Sequence, residues 1–141
     1  IAFLFSANKG MPLVPIENAA SGGELSRVML ALKKMISSKQ FMPTVFFDEI
    51  DTGVSGDVAQ KIGVLLQSMG NSMQLVAISH LPQVVAKANH HFRVEKNSNQ
   101  DRTQTTIVEL SSEERIQEIA RLMSGEQINE AAISNAKALM N

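Results

Sequence analysis

The sequence contains no cysteine, no tryptophan and no tyrosine among its 141 residues. Without cysteine the chain can form neither a disulfide nor a thiolate zinc site, and it has no cysteine nucleophile. No apolar run approaches the roughly 20 residues that a membrane-spanning helix needs, so we expect no membrane partner. The lack of cysteine is compatible with a reducing compartment such as the cytoplasm.

An excess of positive charge is also missing, because the formal net charge is −1. No overall basic field therefore indicates nucleic-acid binding. Lys33, Lys34 and Lys39 lie near one predicted helix and could form a small basic patch. Solvated lysines on an exposed helix face explain them more simply.

The composition that is present is typical of one globular domain. Hydrophobic residues make up 44% and charged residues 19% of the chain, which is ordinary for a folded protein. The length suits a single domain over residues 1–141. Because the sequence starts at Ile1 and enters an apolar strand at once, without a basic leader, we expect it to be a fragment of a longer polypeptide.

The most informative stretch covers residues 43–56. Four apolar or β-branched residues at positions 44–47 predict a short buried strand, which runs directly into Asp48 and Glu49, with Asp51 close behind. Carboxylates beside an apolar strand are costly to bury unless a cation meets them. The stretch is therefore either a solvated loop or a metal-phosphate site at the end of a strand, where α/β folds bind ligands.

Apolar periodicity predicts an α/β fold with a mostly parallel central sheet flanked by helices, followed by a β-hairpin and two C-terminal helices. The predicted strands cover residues 1–5, 44–48, 73–79, 91–96 and 103–110. The predicted helices cover residues 21–38, 55–69, 81–88, 111–123 and 127–140, and residues 11–20 and 97–102 are predicted to be loops. Because βαβ crossovers are right-handed, the ends of the second and third strands should open on one edge of the sheet.

Two further features could bind phosphate at that edge. Ser21-Gly22-Gly23-Glu24 opens a predicted helix, where spare amide groups and the helix dipole favour an anion; alone, it could equally be an ordinary capping box. His80 follows the third strand and could hydrogen-bond a phosphate or cap the next helix.

Taken together, these residues resemble the C-terminal lobe of ABC-type (P-loop) ATPase heads, in the branch that includes SMC-like chromosome and repair proteins. Within that branch the chain is similar to the RecN family of bacterial DNA repair proteins, over essentially its whole length. The runs that carry the resemblance are Phe-Leu-Phe-Ser-Ala-Asn-Lys-Gly from position 3, Ala-Ser-Gly-Gly-Glu-Leu-Ser-Arg from position 20, Phe-Asp-Glu-Ile-Asp-Thr-Gly-Val-Ser-Gly from position 47, Ser-His-Leu-Pro-Gln from position 79 and His-His-Phe-Arg-Val-Glu-Lys from position 90.

The resemblance implies a role for each residue of the predicted edge. Asp48 would hold Mg²⁺, Glu49 would activate the hydrolytic water and His80 would contact the γ-phosphate of ATP. The signature motif, made of Ser21, Gly22, Gly23 and Glu24, would bind the ATP held by an opposite head. Asp51 and Ser55 would belong to the D-loop, which lies across the interface between two heads.

A P-loop is missing from the sequence, since Lys9-Gly10 is followed by Met11-Pro12 and no Gly-x-x-x-x-Gly-Lys-Ser/Thr occurs. The resemblance therefore implies a partner, the N-terminal Walker A lobe of the same protein, and a head-head homodimer. It also implies DNA as a partner of the full-length protein in double-strand-break repair and recombination, and a bacterial cytoplasmic, nucleoid-associated location. The isolated chain should hydrolyse little or no ATP.

Two alternatives stay open at this point. Asp48, Glu49 and Asp51 could form a metal cluster for phosphoester hydrolysis, as in a nuclease. The chain could also be a non-catalytic dimerisation module, in which residues 21–24 and 51–55 only make contacts.

Overall fold

The computed structural model describes residues 2–6, 9–19, 22–37, 43–48, 50–51, 53–99 and 102–141. Its elements, in chain order, are β1 (Leu4–Phe5), β2 (Val14–Pro15), α1 (Ile16–Ala19), α2 (Gly22–Ser37), β3 (Thr44–Phe47), α3 (Gly56–Gly70), β4 (Gln74–Ala77), α4 (Pro82–Val85), β5 (Phe92–Asn99), β6 (Arg102–Glu109), α5 (Ser112–Ser124) and α6 (Glu130–Met140). No helix among these described residues is long and apolar enough to cross a membrane.

Strands β3 and β4 pair in parallel, with Phe47 opposite Ala77. Helix α3 connects them, and the ladder is extended by the Ile78 amide, which donates to the Phe47 carbonyl at 2.9 Å. Alternation along β3 buries Val45 and Phe47 in the core and leaves Phe46 66% exposed. The predicted βαβ unit is confirmed, and both strands end at the same edge.

The first strand does not join that parallel pair. Instead β1 pairs antiparallel with β2, and the Ile16 amide at the start of α1 donates to the Phe3 carbonyl at 3.0 Å. The prediction of a loop over residues 11–20 was therefore wrong. Gly10 adopts φ +92° where the chain turns back, and a partner strand so near in sequence pairs more readily than a distant one. Among the described residues the parallel sheet has two strands.

The hairpin is longer than its apolar pattern predicts. Strands β5 and β6 stay in antiparallel register out to the pair Asn99 and Arg102, so the predicted loop at residues 97–102 is mostly strand. Backbone hydrogen bonds continue the ladder through polar residues, which alternation of hydrophobicity does not detect.

Within the part of the chain that the structure describes, two hydrophobic clusters form the core, and α4 lies between them. The first cluster lies around β3 and α3, and its members are Leu30, Val45, Phe47, Ile50, Val54, Ala59, Ile62, Leu66, Met69 and Val84. The second lies around α5 and α6, and its members are Ala86, Ile119, Ala120, Ala132 and Ala136. Val84 in α4 belongs to the first cluster and Ala86, directly after α4, to the second, so the segment that follows His80 is held from both sides.

Helix α2 contributes Leu30 to the core and carries an apolar stripe on its outer side. Leu25, Met29, Leu32 and Ile36 repeat at helical spacing, yet each is 36–47% exposed, whereas Leu30 is 3% exposed and joins the first cluster. The apolar stripe therefore lies on the outside of this helix. An apolar surface of this kind commonly contacts another protein surface.

Candidate active site

The site is built where β3 and β4 end. Asp48 follows β3 directly and is exposed. The chain then re-enters the core, because Ile50 and Val54 are only 6% and 9% exposed. Between them the Val54 amide donates to the Asp51 carbonyl at 3.1 Å, and Gly53 has φ +68°. This turn is therefore anchored at both ends, not a solvated loop.

Asp51 is the buried polar group of this turn, at 2% exposure. Its Oδ2 accepts a short hydrogen bond from the Ser79 hydroxyl and a second from the His80 backbone amide at 3.1 Å. The Ser79 oxygen in turn accepts from the Leu81 amide at 3.1 Å. A buried carboxylate needs such donors to offset the loss of water. Asp51 thus joins the segment after β3 to the segment after β4.

The His80 imidazole points into solvent, with 78% of its side chain exposed. Its Nδ1 lies 3.6 Å from Asp51 Oδ2, which is an electrostatic contact beyond hydrogen-bond distance. The structure therefore brings together two of the predicted site residues, His80 and Asp51, at the shared edge.

The start of α2 reaches the same turn. A Cβ atom added at Gly53 would lie 3.9 Å from the Cα of Gly23. The predicted signature motif and the predicted D-loop are therefore adjacent. Glu24, in the first turn of α2, lines an open groove together with Phe5 and Arg27.

Several predicted site residues lie outside the described part of the chain or make no defined contact. Glu49 and Ser21 are outside the described residues. Ser55 is the residue before α3; its backbone is extended and its hydroxyl makes no capping hydrogen bond to that helix. The roles given to these residues stay predictions.

Ser79 is a site residue that the sequence did not single out. It is the last residue of the strand predicted over residues 73–79 and directly precedes His80, a position where a serine is too common to carry a signal by itself. Ser79 could have been identified from the parallel register of β3 and β4. Phe47 is opposite Ala77, so the segments that follow these two residues, which contain Asp51 and Ser79, must lie close together.

Asp48, predicted as the ligand of a divalent cation, has the chemistry that such a role requires. It is an exposed carboxylate at a strand end, and Mg²⁺ typically takes one or two carboxylates together with waters and substrate phosphates. Asp51 Oδ2 already accepts two hydrogen bonds. Within the described ranges, no group of three or more His, Asp or Glu side chains is placed to hold a metal ion.

Lys33, from the candidate basic patch, makes contacts inside the chain. Its ammonium donates to the Phe46 carbonyl at 3.2 Å and lies 4.6 Å from the centre of the Phe47 ring. These contacts tie α2 to β3. Lys39 lies outside the described residues.

A separate charged cluster fastens the hairpin to α5. Glu118 is 6% exposed and pairs with Arg121 at 2.5 Å and with Arg93 at 3.6 Å. The hydrogen bond from Arg121 is the main cause that lowers the pKa of Glu118, and burial is the main cause that lowers the pKa of His91. Arg115 donates to the carbonyls of Ala88 and Asn89, so α5 also holds the segment after α4.

Comparison with known proteins gives relatives over the full length of the chain. The chain is 44% identical over 140 residues to the DNA repair protein RecN of Vibrio cholerae, and the alignment covers 99% of the chain and 25% of that protein. It is 43% identical over 140 residues to RecN of Bacillus subtilis, covering 99% of the chain and 24% of that protein. The chain thus spans about a quarter of the length of these relatives. No protein-family model matches it.

Solved structures of SMC heads share the fold. The Smc head domain with a coiled coil and joint from Pyrococcus yayanosii aligns with a TM-score of 0.67 at 24% identity, over 84% of this chain and 21% of that one. An Smc head bound to the C-winged helix domain of ScpA aligns with a TM-score of 0.61 at 26% identity, over 77% of this chain and 32% of that one. The predicted α/β fold of a lobe of an SMC-like head is therefore confirmed.

Proposed function

Because the chain belongs to the RecN family of DNA repair proteins, we propose that it is the C-terminal lobe of an ATPase head within such a protein. In this proposal residues 1–141 form one domain, half of a split ABC-type head. The other half is the N-terminal Walker A lobe of the same polypeptide. The function proposed for the whole protein is ATP-dependent repair and recombination at DNA double-strand breaks, in the bacterial cytoplasm at the nucleoid.

The observation that carries the proposal is the meeting of three sequence-distant segments at one edge of the parallel strands. Asp51 is hydrogen-bonded to the backbone of His80, and Gly53 lies against Gly23 at the start of α2. Carboxylate, imidazole and free helix-start amides are the groups that phosphoryl-transfer sites use. Parallel α/β sheets bind ligands at this edge.

The chain's own residues divide the proposed chemistry between them. Asp48 would hold Mg²⁺, which when bound neutralises charge on the phosphates. Glu49 would take the proton of the attacking water, since a carboxylate general base next to the metal ligand can reach that water. His80, exposed at the rim, would donate a hydrogen bond to the γ-phosphate. Gly22 and Gly23 would offer backbone amides to the nucleotide of an opposite head.

Exposed apolar surfaces support the proposed partner lobe. On the open face of the parallel strands, Phe46 is 66% and Ile78 60% exposed. The apolar stripe of α2 is a second such surface. Surfaces this apolar indicate a covering partner, and the Walker A lobe would supply the phosphate cradle that this sequence does not contain.

The decisive experiment changes Glu49 to Gln in the full-length protein. Loss of the general base should slow steady-state ATP hydrolysis by about 100-fold or more, while nucleotide stays bound and holds the heads together. A matched control is Glu113→Gln, on an exposed position at the start of α5, which should hydrolyse ATP at the wild-type rate. Normal turnover by Glu49→Gln would contradict the proposed role.

The same measurements separate the alternatives. A dimerisation module predicts that Glu49→Gln alters association and leaves the hydrolysis rate unchanged. A metal-dependent nuclease would cleave phosphodiesters without nucleotide and would need Asp51 as a ligand, whereas Asp51 is occupied by Ser79 and His80. Under our proposal the 141-residue chain alone hydrolyses no ATP and gains activity only with the Walker A lobe.

A further inference from the structure

Asp51 has the geometry of a group that acts through a neighbour. Its side chain is 1% exposed, so it is closed off from solvent, whereas the His80 imidazole beside it is 78% exposed. Any effect that Asp51 has on a bound phosphate must therefore pass through the residues it touches. Among the described residues, the side chain of Asp51 is hydrogen-bonded to Ser79 and His80.

The contacts of Asp51 fix the backbone that carries the imidazole. Oδ2 accepts from the Ser79 hydroxyl and from the His80 amide, and the Ser79 oxygen accepts from Leu81. Leu81 is the N-cap residue of α4, which begins at Pro82. Ser79 and His80 are thus hydrogen-bonded directly to one buried oxygen, Asp51 Oδ2, and Leu81 is linked to that oxygen through the Ser79 hydroxyl.

The same oxygen also biases the imidazole itself. Asp51 Oδ2 is 3.6 Å from His80 Nδ1, so a proton on Nδ1 is favoured electrostatically over a lone pair there. The Nε2 edge is then the part of the ring that is directed away from the carboxylate and available to a ligand. A second-layer carboxylate that orients a histidine in this way is a recurrent device.

We propose that Asp51 and Ser79 are positioning residues for His80, which set the backbone and the ring orientation with which the histidine meets the terminal phosphate. The proposal rests on the proposed function, since it presupposes that His80 contacts nucleotide. It differs from the D-loop role implied by the resemblance, because Asp51 would act within its own head. Ser79 acquires a function that neither its position nor its residue type indicates.

The test is a double-mutant cycle in the full-length protein, with kcat and KM for ATP measured for Asp51→Asn, His80→Ala and the double variant. Asp51→Asn should lower kcat by about 10- to 100-fold and change KM little, because binding comes mainly from other residues. If Asp51 acts through His80, adding Asp51→Asn to His80→Ala should slow the enzyme no further. A full additional loss in that background overturns the proposal.

A second readout follows the backbone. Hydrogen-deuterium exchange of the peptide that spans residues 78–82 should speed up in Asp51→Asn and in Ser79→Ala. In Asp51→Asn the His80 amide loses its carboxylate acceptor, and in Ser79→Ala that carboxylate loses the hydroxyl that holds it in place. Asp57→Asn is the matched control, since Asp57 is 75% exposed and pairs only at the surface with Lys61 at 2.7 Å. Exchange and kcat both unchanged in Asp51→Asn would also overturn the proposal.

The cycle distinguishes this inference from the proposed function. If His80→Ala retains the wild-type kcat, the catalytic role of His80 fails and the positioning role falls with it. If His80→Ala is slow but Asp51→Asn loses activity equally in both backgrounds, the proposed function stands and only the positioning role is wrong.

Discussion

His91 lies half-buried beside the hairpin and α5, where its buried Nδ1 has no hydrogen-bond partner among the described residues. Burial lowers its pKa below the ordinary value of 6.5; the nearby Arg115 and Arg93 act in the same direction and Glu118 opposes them. The unfolded chain therefore binds a proton at this residue at a higher pH than the folded chain does. The stability contributed by neutral His91 is complete above pH 6.5 and is lost as pH falls from there through the folded pKa.

We therefore predict that the free energy of unfolding falls as pH drops from about 6.5 through the folded pKa, by no more than about 1.4 kcal/mol per pH unit from this residue. His91→Gln should flatten that slope in urea denaturation of the 141-residue chain. His90→Gln removes the adjacent imidazole, which is exposed and contacts Glu109, and should leave the slope in place. Equal slopes in wild type and His91→Gln would contradict the assignment.

For the individual site residues, the sequence shows which residue types are present but not how deeply each is buried or what it contacts. One predicted strand that ends in acids and a second that ends in a histidine were visible, and the structure brings both strand ends to one edge, where Asp51 meets His80. Whether Asp51 was solvated or buried could not be read, because that depends on the parallel register that brings Ser79 to it. Burial is a property of packing between segments, and no local pattern encodes it.

Helices α3 and α4 pack so closely that one position between them must be glycine. A Cβ atom at Gly63 would lie 2.7 Å from the Gln83 carbonyl oxygen and 3.2 Å from the Val84 Cα. Both neighbours are backbone atoms, so relief requires movement of α4 itself. Gly63→Ala should lower the free energy of unfolding by about 1–3 kcal/mol, measured by urea denaturation.

Gly70, the last residue of the same helix, provides the control. Nothing lies within 4 Å of a Cβ atom added there. Gly70→Ala should therefore be neutral or stabilise by about 0.4–1 kcal/mol, because alanine has less freedom to lose on folding. If Gly63→Ala and Gly70→Ala unfold at the same urea concentration, the close approach of α3 and α4 does not constrain stability.

Elements with a local signal were predictable and those set by distant contacts were not. The helix predicted over residues 111–123 is confirmed, and the capping box of Ser111 and Glu114 at its start forms both reciprocal hydrogen bonds; such a cap is complete within four residues. The start of α6 was predicted too early, at residue 127. The helix begins at Glu130, because the side chain of Asn129 caps it by accepting a hydrogen bond from the Ala132 amide. The stripe of α2 shows the limit of such local signals, because its residues have the periodicity of a core face and are nevertheless exposed.

For the molecule as a whole, the open face of the parallel strands should decide association and not stability. Phe46 is 66% exposed, so Phe46→Ser should change the free energy of unfolding of this chain by less than about 0.5 kcal/mol. Binding to the Walker A lobe should weaken about tenfold or more, because buried aromatic residues dominate interfaces. Titration calorimetry with the separately expressed lobe measures the effect.

Val64→Ser is the matched control, since Val64 is 49% exposed on α3 and is not on the strand face. It should bind the lobe as the wild type does. Equal weakening by both variants would mean that the strand face has no special part in docking, and unchanged binding of Phe46→Ser would contradict the proposed interface.

The position of α4 between the two hydrophobic clusters has a consequence for cooperativity. Val84 and Ala86 belong to different clusters although they are two positions apart, so opening either cluster removes support from the same short helix. The parallel strands and the C-terminal helices should therefore melt as one cooperative unit, with the His80 segment at their junction. Because His80 lies next to α4, loosening the C-terminal helices should also loosen the candidate site at the end of the parallel strands.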